Sequence, residues 1–520
     1  MTHHTTGRHG WLRLQTLFAT AALLASCGGG GPNTGVSPFP EPPAPPPPPA
    51  PATAQACAPS NPYRGDASEA ITTGSLAIEK SWLKTYMSAA YLWYDQMPTV
   101  DASLAVYSDT TDVYGSIDNY FQALKTPART ASGKRRDQFS FTYPTKAWQE
   151  LSMSGVDAGY GIEWAIASST PPRGIRVAWV EPGSPAARAG VLRGDTLVTV
   201  DGTSADAADQ AGVDALNAGL FPSAAAQDHR FVWRRAGSDI STTLTSAKVT
   251  KHPVPLTKVL AQDGRKIGYL VFNDHIAPAE SALITAINTL KTAAVDELVL
   301  DLRYNGGGFL FIASELAYMV AGPARTAGQV FEQLRYNAKR SADTNSADAR
   351  TPFYDTSCIL DGNFQCTRQE PLPTLGLSRV VVLTGPGTCS ASEAIVNGLR
   401  GVGVEVVLVG DTTCGKPYGF TGRDNCGITY FPIEFMGVNA QGFGDYADGF
   451  APTCGAADDL EHALGDTAEG QLAAALSRLS TGQCPSASAA RQAQAKKQLL
   501  TYSPLRGPER TSRIVLPLQR

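Results

Sequence analysis

The sequence predicts an α/β protein carrying two smaller folded segments ahead of its core, and three observations predict it. Between Ile267 and about Leu479, short apolar runs ("IGYLVFNDHI", "DELVLDLRYN", "RVVVLTG", "VEVVLVGD") alternate with helical stretches such as 277–292 and 311–319. Strand–helix alternation of this kind means a buried sheet covered by helices. Residues 156–250 follow a different pattern of strand, Gly-Ser-Pro turn, short helix, Gly-Asp turn and strand. Upstream, 57–155 reads as small and mainly helical, because Leu76, Ile78, Trp82, Tyr86, Ala89, Ala90 and Trp93 recur in a helical rhythm across Leu76–Met97. That aromatic stripe is expected to pack a core rather than to do chemistry.

The chain's 520 residues have room for several domains. Its formal charge of -4 excludes a nucleic-acid partner, since no basic excess is available to neutralise phosphates. At the start, Arg8 and Arg13 precede the apolar run Leu17–Ala25, which is too brief to span a bilayer but suits an export signal over 1–26. The run ends in Leu24-Ala25-Ser26-Cys27, which resembles a bacterial lipobox. That resemblance implies cleavage before Cys27, lipid on its thiol, and an exported protein anchored to the membrane of the bacterial envelope, facing the periplasm or cell surface. Residues 27–56 are dominated by Pro, Ala and Gly and read as an extended stalk.

Nine cysteines fit export, and eight remain once Cys27 is set aside. An oxidising compartment permits up to four disulfides, and short separation suggests Cys358–Cys366 and Cys414–Cys426. No C-x-x-C or H-E-x-x-H occurs, so neither a metal site nor a cofactor is expected.

"GYGIEWAIAS" and "RVAWVEPGSPAARAGVLRGDTLVTVDGTSA" make the second segment specific. Through Gly183-Ser184-Pro185-Ala186-Ala187, Ala189-Gly190, Gly194-Asp195 and Asp201-Gly202 it resembles a PDZ domain of the bacterial protease type. The resemblance implies that Gly159, Tyr160, Gly161 and Ile162 present backbone N–H groups to a peptide's terminal carboxylate while the peptide adds a strand to the sheet edge.

Three stretches of the core, 251–484, bear on chemistry. "VLDLRYNGGGF" ends a buried strand in Gly306-Gly307-Gly308, whose bare amides suit an oxyanion hole. In "GTCSASEAIVNGL", Ser390-Ala391-Ser392-Glu393 reads as a capping box opening a helix, which leaves the Ala391 amide without a helical acceptor. In "DTTCGKPYGF", Lys416 sits at a turn between apolar neighbours, and desolvation favours the neutral amine a base requires.

In order and behind a PDZ-like segment, these stretches are similar to the C-terminal processing peptidases, or tail-specific proteases. The resemblance implies a ClpP/crotonase-like spiral of ββα units, Ser390 as nucleophile, Lys416 as general base, and an oxyanion hole from Ala391 and one of Gly306 or Gly307. It also implies a serine peptidase that cleaves exported polypeptides near their free C-termini after the PDZ domain has caught the tail. Two features depart from the pattern: Lys416 follows Ser390 by 26 residues, one more than is common, and Phe420 stands four residues after Lys416, where many members carry a glutamine that orients the lysine. Other branches of the superfamily use a histidine, so His275 in "FNDHIAP" is an alternative base. Phe420 keeps open a second reading, a catalytically silent peptide-binding scaffold of the envelope. The tail 485–520 is expected to begin as a helix and to end without structure.

Overall fold

The computed structural model describes residues 53–222, 224–362, 364–485, 502–505 and 513–514. Cys27, the export signal, the stalk up to residue 52 and the predicted tail helix lie outside them.

The first described segment contains α1 (Leu76–Ala90), α2 (Val113–Leu124), β1 (Phe141–Pro144) and α3 (Thr145–Ser154). The helical rhythm read to Met97 stops earlier, because Tyr91 leaves α1 in extended backbone and Leu92 N–H donates to Ile433 O in the core (2.7 Å). Ile78 faces outward, while Trp82, Leu83 and Met87 are buried.

An antiparallel sheet follows, built from β2 (Ile162–Ile166), β3 (Arg176–Val180), β4 (Thr196–Val200), β5 (Asp228–Arg235) and β6 (Ser238–Thr245), with α4 (Gln210–Leu220) packed on it. Its core is aromatic: Trp164, Phe231 and Trp233 lie face to face at 5.1–6.2 Å. The sheet order is β6-β5-β4-β3-β2, and β2 is its outer chain on this module.

The core domain starts with the antiparallel pair β7 (Leu256–Gln262) and β8 (Arg265–Val271). Then come α5 (Pro278–Ala293), β9 (Glu297–Asp301), β10 (Gly308–Phe309), α6 (Leu310–Ala321), β11 (Arg379–Thr384), α7 (Ala391–Gly401), β12 (Glu405–Gly410), β13 (Tyr418–Gly419), β14 (Ile428–Phe431), β15 (Cys454–Gly455) and α8 (Gly470–Thr481). The central sheet runs β7-β8-β9-β11-β12-β15, parallel from β8 onward, with Leu300 opposite Val382 and Val382 opposite Leu408. Strands covered on both faces read as continuous apolar runs, which is why these were legible. α6 is buried on nearly every side, as its almost wholly apolar sequence requires.

The helical segment is not independent of this core. β14 pairs β1 with Phe431 opposite Phe141, those two rings stack at 4.5 Å, and Cys57 is bridged to Cys426. The other disulfides are Cys358–Cys366, as expected, Cys389–Cys414 and Cys454–Cys484. The expected Cys414–Cys426 pair is therefore incorrect. Cys389 and Cys414 follow neighbouring parallel strands, so their loops meet, whereas Cys426 lies in a hairpin facing the helical segment. Among the described residues no helix is long and apolar enough to cross a membrane.

Glu79 in the first turn of α1 is buried and accepts from Ala58 N–H (2.6 Å) and Asn61 Nδ2 (3.2 Å). Burial outweighs those bonds and pushes its carboxyl up to about 7. The folded chain thus keeps a proton that the unfolded chain releases above about 4.3, so stability falls as pH rises from there to 7 and then levels. Glu79→Gln, which keeps an acceptor for Ala58, is expected to melt close to the parent at pH 4.5 and to be more stable by up to about 3 kcal/mol at pH 8. Thermal melts across that range check it, and a pH-independent difference would contradict it.

Candidate active site

Three loops leave the carboxyl ends of β9, β11 and β12, adjacent strands of the parallel sheet, and therefore converge. Hydrogen bonds fasten them together. Thr388 Oγ1 donates to Leu302 O (2.8 Å), while Cys389 N–H and Ser392 Oγ both donate to Asn305 O (3.1 and 3.0 Å). Cys414 N–H donates to Thr388 O (3.0 Å), and the Cys389–Cys414 disulfide locks the second loop to the third.

At their meeting point lies the carboxylate of Glu393, fully buried in the first turn of α7. It accepts from the amides of Ser390 (2.9 Å), Gly415 (2.9 Å) and Lys416 (2.8 Å), and from Thr413 Oγ1 (2.5 Å). Burial raises its pKa, and these donors act in the opposite direction by stabilising the anion. One carboxylate thus ties the backbone at Ser390 to the backbone at Lys416.

Glu393 reaches back as the capping-box reading expects, but Ser390 is no ordinary cap. N-caps take extended backbone, whereas Ser390 has φ 60° and ψ −112°, a region costing a non-glycine residue about 1–3 kcal/mol. Ser390 keeps this backbone at the head of α7, where its amide is held by Glu393.

Lys416 is wholly buried. Its Nζ lies 4.5 Å from the Phe420 ring centre and 5.1 Å from that of Phe139. Phe420 therefore lines the lysine directly. It is anchored in turn against Phe141 (5.6 Å) and Phe431 (5.3 Å), so the helical segment supplies part of the site through Phe139 and Phe141. Sequence reasoning missed Phe139, which no local pattern marks.

The glycine stretch is shaped by Asn305 and His275. Asn305 Oδ1 accepts from Gly307 N–H (2.9 Å) and faces His275 Nδ1 (2.9 Å), while its Nδ2 donates to Phe272 O (2.9 Å). An oxygen that only accepts places the His275 proton on Nδ1. The Gly307 amide, one of the two predicted oxyanion donors, is thus engaged within the loop. Gly308, at φ 139°, passes so close to His275 that a Cβ would sit 2.3 Å from its carbonyl oxygen. His275 is buried, its N–H bound to Gly307 O (3.1 Å) and its carbonyl accepting from Phe309 N–H (2.9 Å), so it braces the glycine loop.

A second signal in "DLRYN" also went unread. Arg303, buried, donates to Asp301 (3.0 Å), Asp458 (3.0 Å) and Glu469 (2.7 and 2.9 Å). Burial works against its charge, but these carboxylates prevail and hold it well above the usual arginine range. Arg193 of the antiparallel module joins the same group through Asp458 (2.8 Å) and Tyr304, fixing that module beside the glycine loop. Charged residues closing an apolar strand were the available clue.

The predicted carboxylate loop lies between residues 156–159, which pair with 247–250, and β2. Gly161 has φ 77°, and a Cβ there would meet Ser184 Cβ at 2.3 Å. The Tyr160 side chain turns inward and donates to Gly219 O (3.0 Å), so only its backbone belongs to the loop surface. Gly159, Gly161 and Ile162 line a cleft with Trp164, Trp179 and Lys251. Lys251 pairs with Asp274 (3.1 Å), the residue before His275.

Residues 266–423 match the description of peptidase family S41, 176–214 a PDZ domain, and 79–141 the peptidase S41 N-terminal domain. Within the core, residues 266–423 are thus similar to the S41 peptidases. The three matches follow one another along the chain in the order N-terminal segment, PDZ segment and peptidase core. It is 28% identical over 279 residues to a carboxyl-terminal-processing protease of Picosynechococcus sp., covering 51% of this chain and 56% of that one. It is 29% identical over 273 residues to the chloroplastic carboxyl-terminal-processing peptidase 2 of Arabidopsis thaliana, covering 51% and 46%. The chain thus spans about half the length of these curated relatives. A crystal structure of an S41 protease from Bacteroides fragilis shares the fold at 24% identity and TM-score 0.58, covering 77% of this chain and 97% of that one.

Glu393→Ala leaves three buried amides and a hydroxyl without their acceptor. It is expected to destabilise the chain by about 3 kcal/mol or more in urea unfolding; a loss under about 0.5 kcal/mol, the range of an ordinary surface change, would contradict the clamp.

Proposed function

We propose that this chain is a serine endopeptidase that cleaves exported proteins near their C-termini with Ser390 as nucleophile and Lys416 as general base. The observation that carries the reading is the Glu393 carboxylate, which binds the backbones of both residues at once. Ser390 Oγ attacks the scissile carbonyl while Lys416 Nζ, as the amine, takes its proton. The amides of Ala391, at the head of α7, and of Gly306 receive the developing oxyanion. Lys416 then passes the proton to the leaving amine, and water, deprotonated by the same lysine, hydrolyses the acyl-enzyme.

A lysine base must be neutral for part of the time. Complete burial disfavours the ammonium, while Lys416 Nζ lies over the faces of Phe139 and Phe420, which position it in place of the glutamine expected from the resemblance. Substrate tails enter through the PDZ domain, with Gly159–Ile162 receiving the terminal carboxylate and β2 pairing the peptide. The lipobox at Cys27 supports anchoring in the bacterial envelope, where the oxidising environment accords with four disulfides.

Cleavage of an unfolded reporter with an apolar C-terminal tail tests the assignment. Ser390→Ala and Lys416→Ala are each expected to lower kcat by at least about 10³-fold, on the scale of removing an essential catalytic group. His275→Ala, which loosens the glycine loop, is expected to retain measurable turnover. Full activity in Ser390→Ala would overturn the proposal, and an inactive parent that still binds the tail would favour the silent scaffold.

A further inference from the structure

Within the tail two short segments, 502–505 and 513–514, are described. Residues Ser503–Leu505 form β16 and Arg513–Ile514 form β17. β16 adds to the free edge of β2, antiparallel, with Ser503 opposite Ile166, Pro504 opposite Ala165 and Leu505 opposite Trp164. The chain therefore runs along β2 toward the Gly159–Ile162 loop, in the direction of a terminal peptide adding a strand to a PDZ edge. Leu505 lines the same cleft as Gly159, Gly161 and Ile162.

The segment also reaches the catalytic loops. Pro504 lies against Gly387, so close that a Cβ on that glycine would sit 2.8 Å from its ring, three residues before Ser390. Tyr502 packs under the Arg176 guanidinium (5.9 Å to the ring centre). Farther on, β17 pairs in parallel with β10, Arg513 opposite Gly308 and Ile514 opposite Phe309, and it runs beside β13, which begins two residues after Lys416. β10 includes the last of the three glycines and β13 follows Lys416, so β17 lies beside two of the three loops that form the candidate site.

Building on the peptidase reading, we propose that the tail segments 502–505 and 513–514 act as an intramolecular ligand, a pseudosubstrate that occupies both the PDZ strand-addition edge and the catalytic cleft and must be displaced by a substrate tail. Such a ligand lowers apparent affinity by the fraction of molecules in which it is undocked. No new chemistry is needed, only competition for backbone hydrogen bonds along β2 and β10.

The test separates this proposal from the catalytic assignment by using the inactive Ser390→Ala chain. Binding of a fluorescein-labelled decapeptide with an apolar C-terminus is measured by anisotropy on the full Ser390→Ala chain and on the same chain ending at Thr501. The shortened chain is expected to bind about tenfold tighter, as it would if the segment were docked in nine molecules of ten. Leu505→Asp in the full chain is expected to shift affinity in the same direction and decides the matter if shortening lowers the melting temperature. A synthetic peptide of residues 500–515 is expected to compete with the labelled peptide on the shortened chain. Equal affinities, weaker binding to the shortened chain at an unchanged melting temperature, or no binding to either would overturn the proposal. So would release of this segment as a fragment by the active chain but not by Ser390→Ala, which would make it a substrate rather than a resident ligand.

Discussion

The arrangement depends on one buried carboxylate. Glu393 gathers three amides and a hydroxyl from two loops, and the backbones of both Ser390 and Lys416 are among its donors. A buried carboxylate is stable only if its acceptor sites are filled, so the two loops must close on it in one geometry. The strained backbone at Ser390 is a product of that closure, held by the Glu393 bond, by the Cys389–Cys414 bridge and by the Asn305 carbonyl beneath. Removing strain from Ser390 would relax the loop, but it would also move the hydroxyl from the head of α7.

Around this point the three domains contribute unequal parts. The parallel sheet brings the loops together, the N-terminal domain supplies the Phe139 face against which Lys416 is packed, and the PDZ domain is held against the glycine loop by Arg193. Asp458 bridges Arg193 and Arg303. Burial alone would raise its pKa, but the two guanidiniums outweigh burial and keep it below the ordinary carboxylate range. That contact is consequently strongest above the carboxylate range and is lost as pH falls through the depressed pKa of Asp458.

Much of this was legible in the chain. Parallel strands buried on both faces announce themselves as unbroken apolar runs, and S-A-S-E and the triple glycine mark turns whose neighbours are constrained by their own short-range hydrogen bonds. What could not be read depends on contacts between distant segments. Cys414 pairs with Cys389 because β11 and β12 are neighbours, a fact of topology rather than spacing. Phe139 reaches Lys416 only because β1 and β14 pair across nearly 290 residues, and the strand at 503–505 exists only because β2 offers an edge. The Ala- and Gln-rich stretch before it contains no signal for that pairing.

The central claim is that the Glu393 clamp presents a serine that behaves as an activated nucleophile. The most direct measurement is reaction of the intact protein with a serine-directed phosphonate, followed by peptide mapping of the adduct. The account predicts a single adduct on Ser390, formed at a rate that falls sharply in Lys416→Ala. An adduct on another residue, or labelling of Ser390 that proceeds undiminished without the lysine, would contradict it.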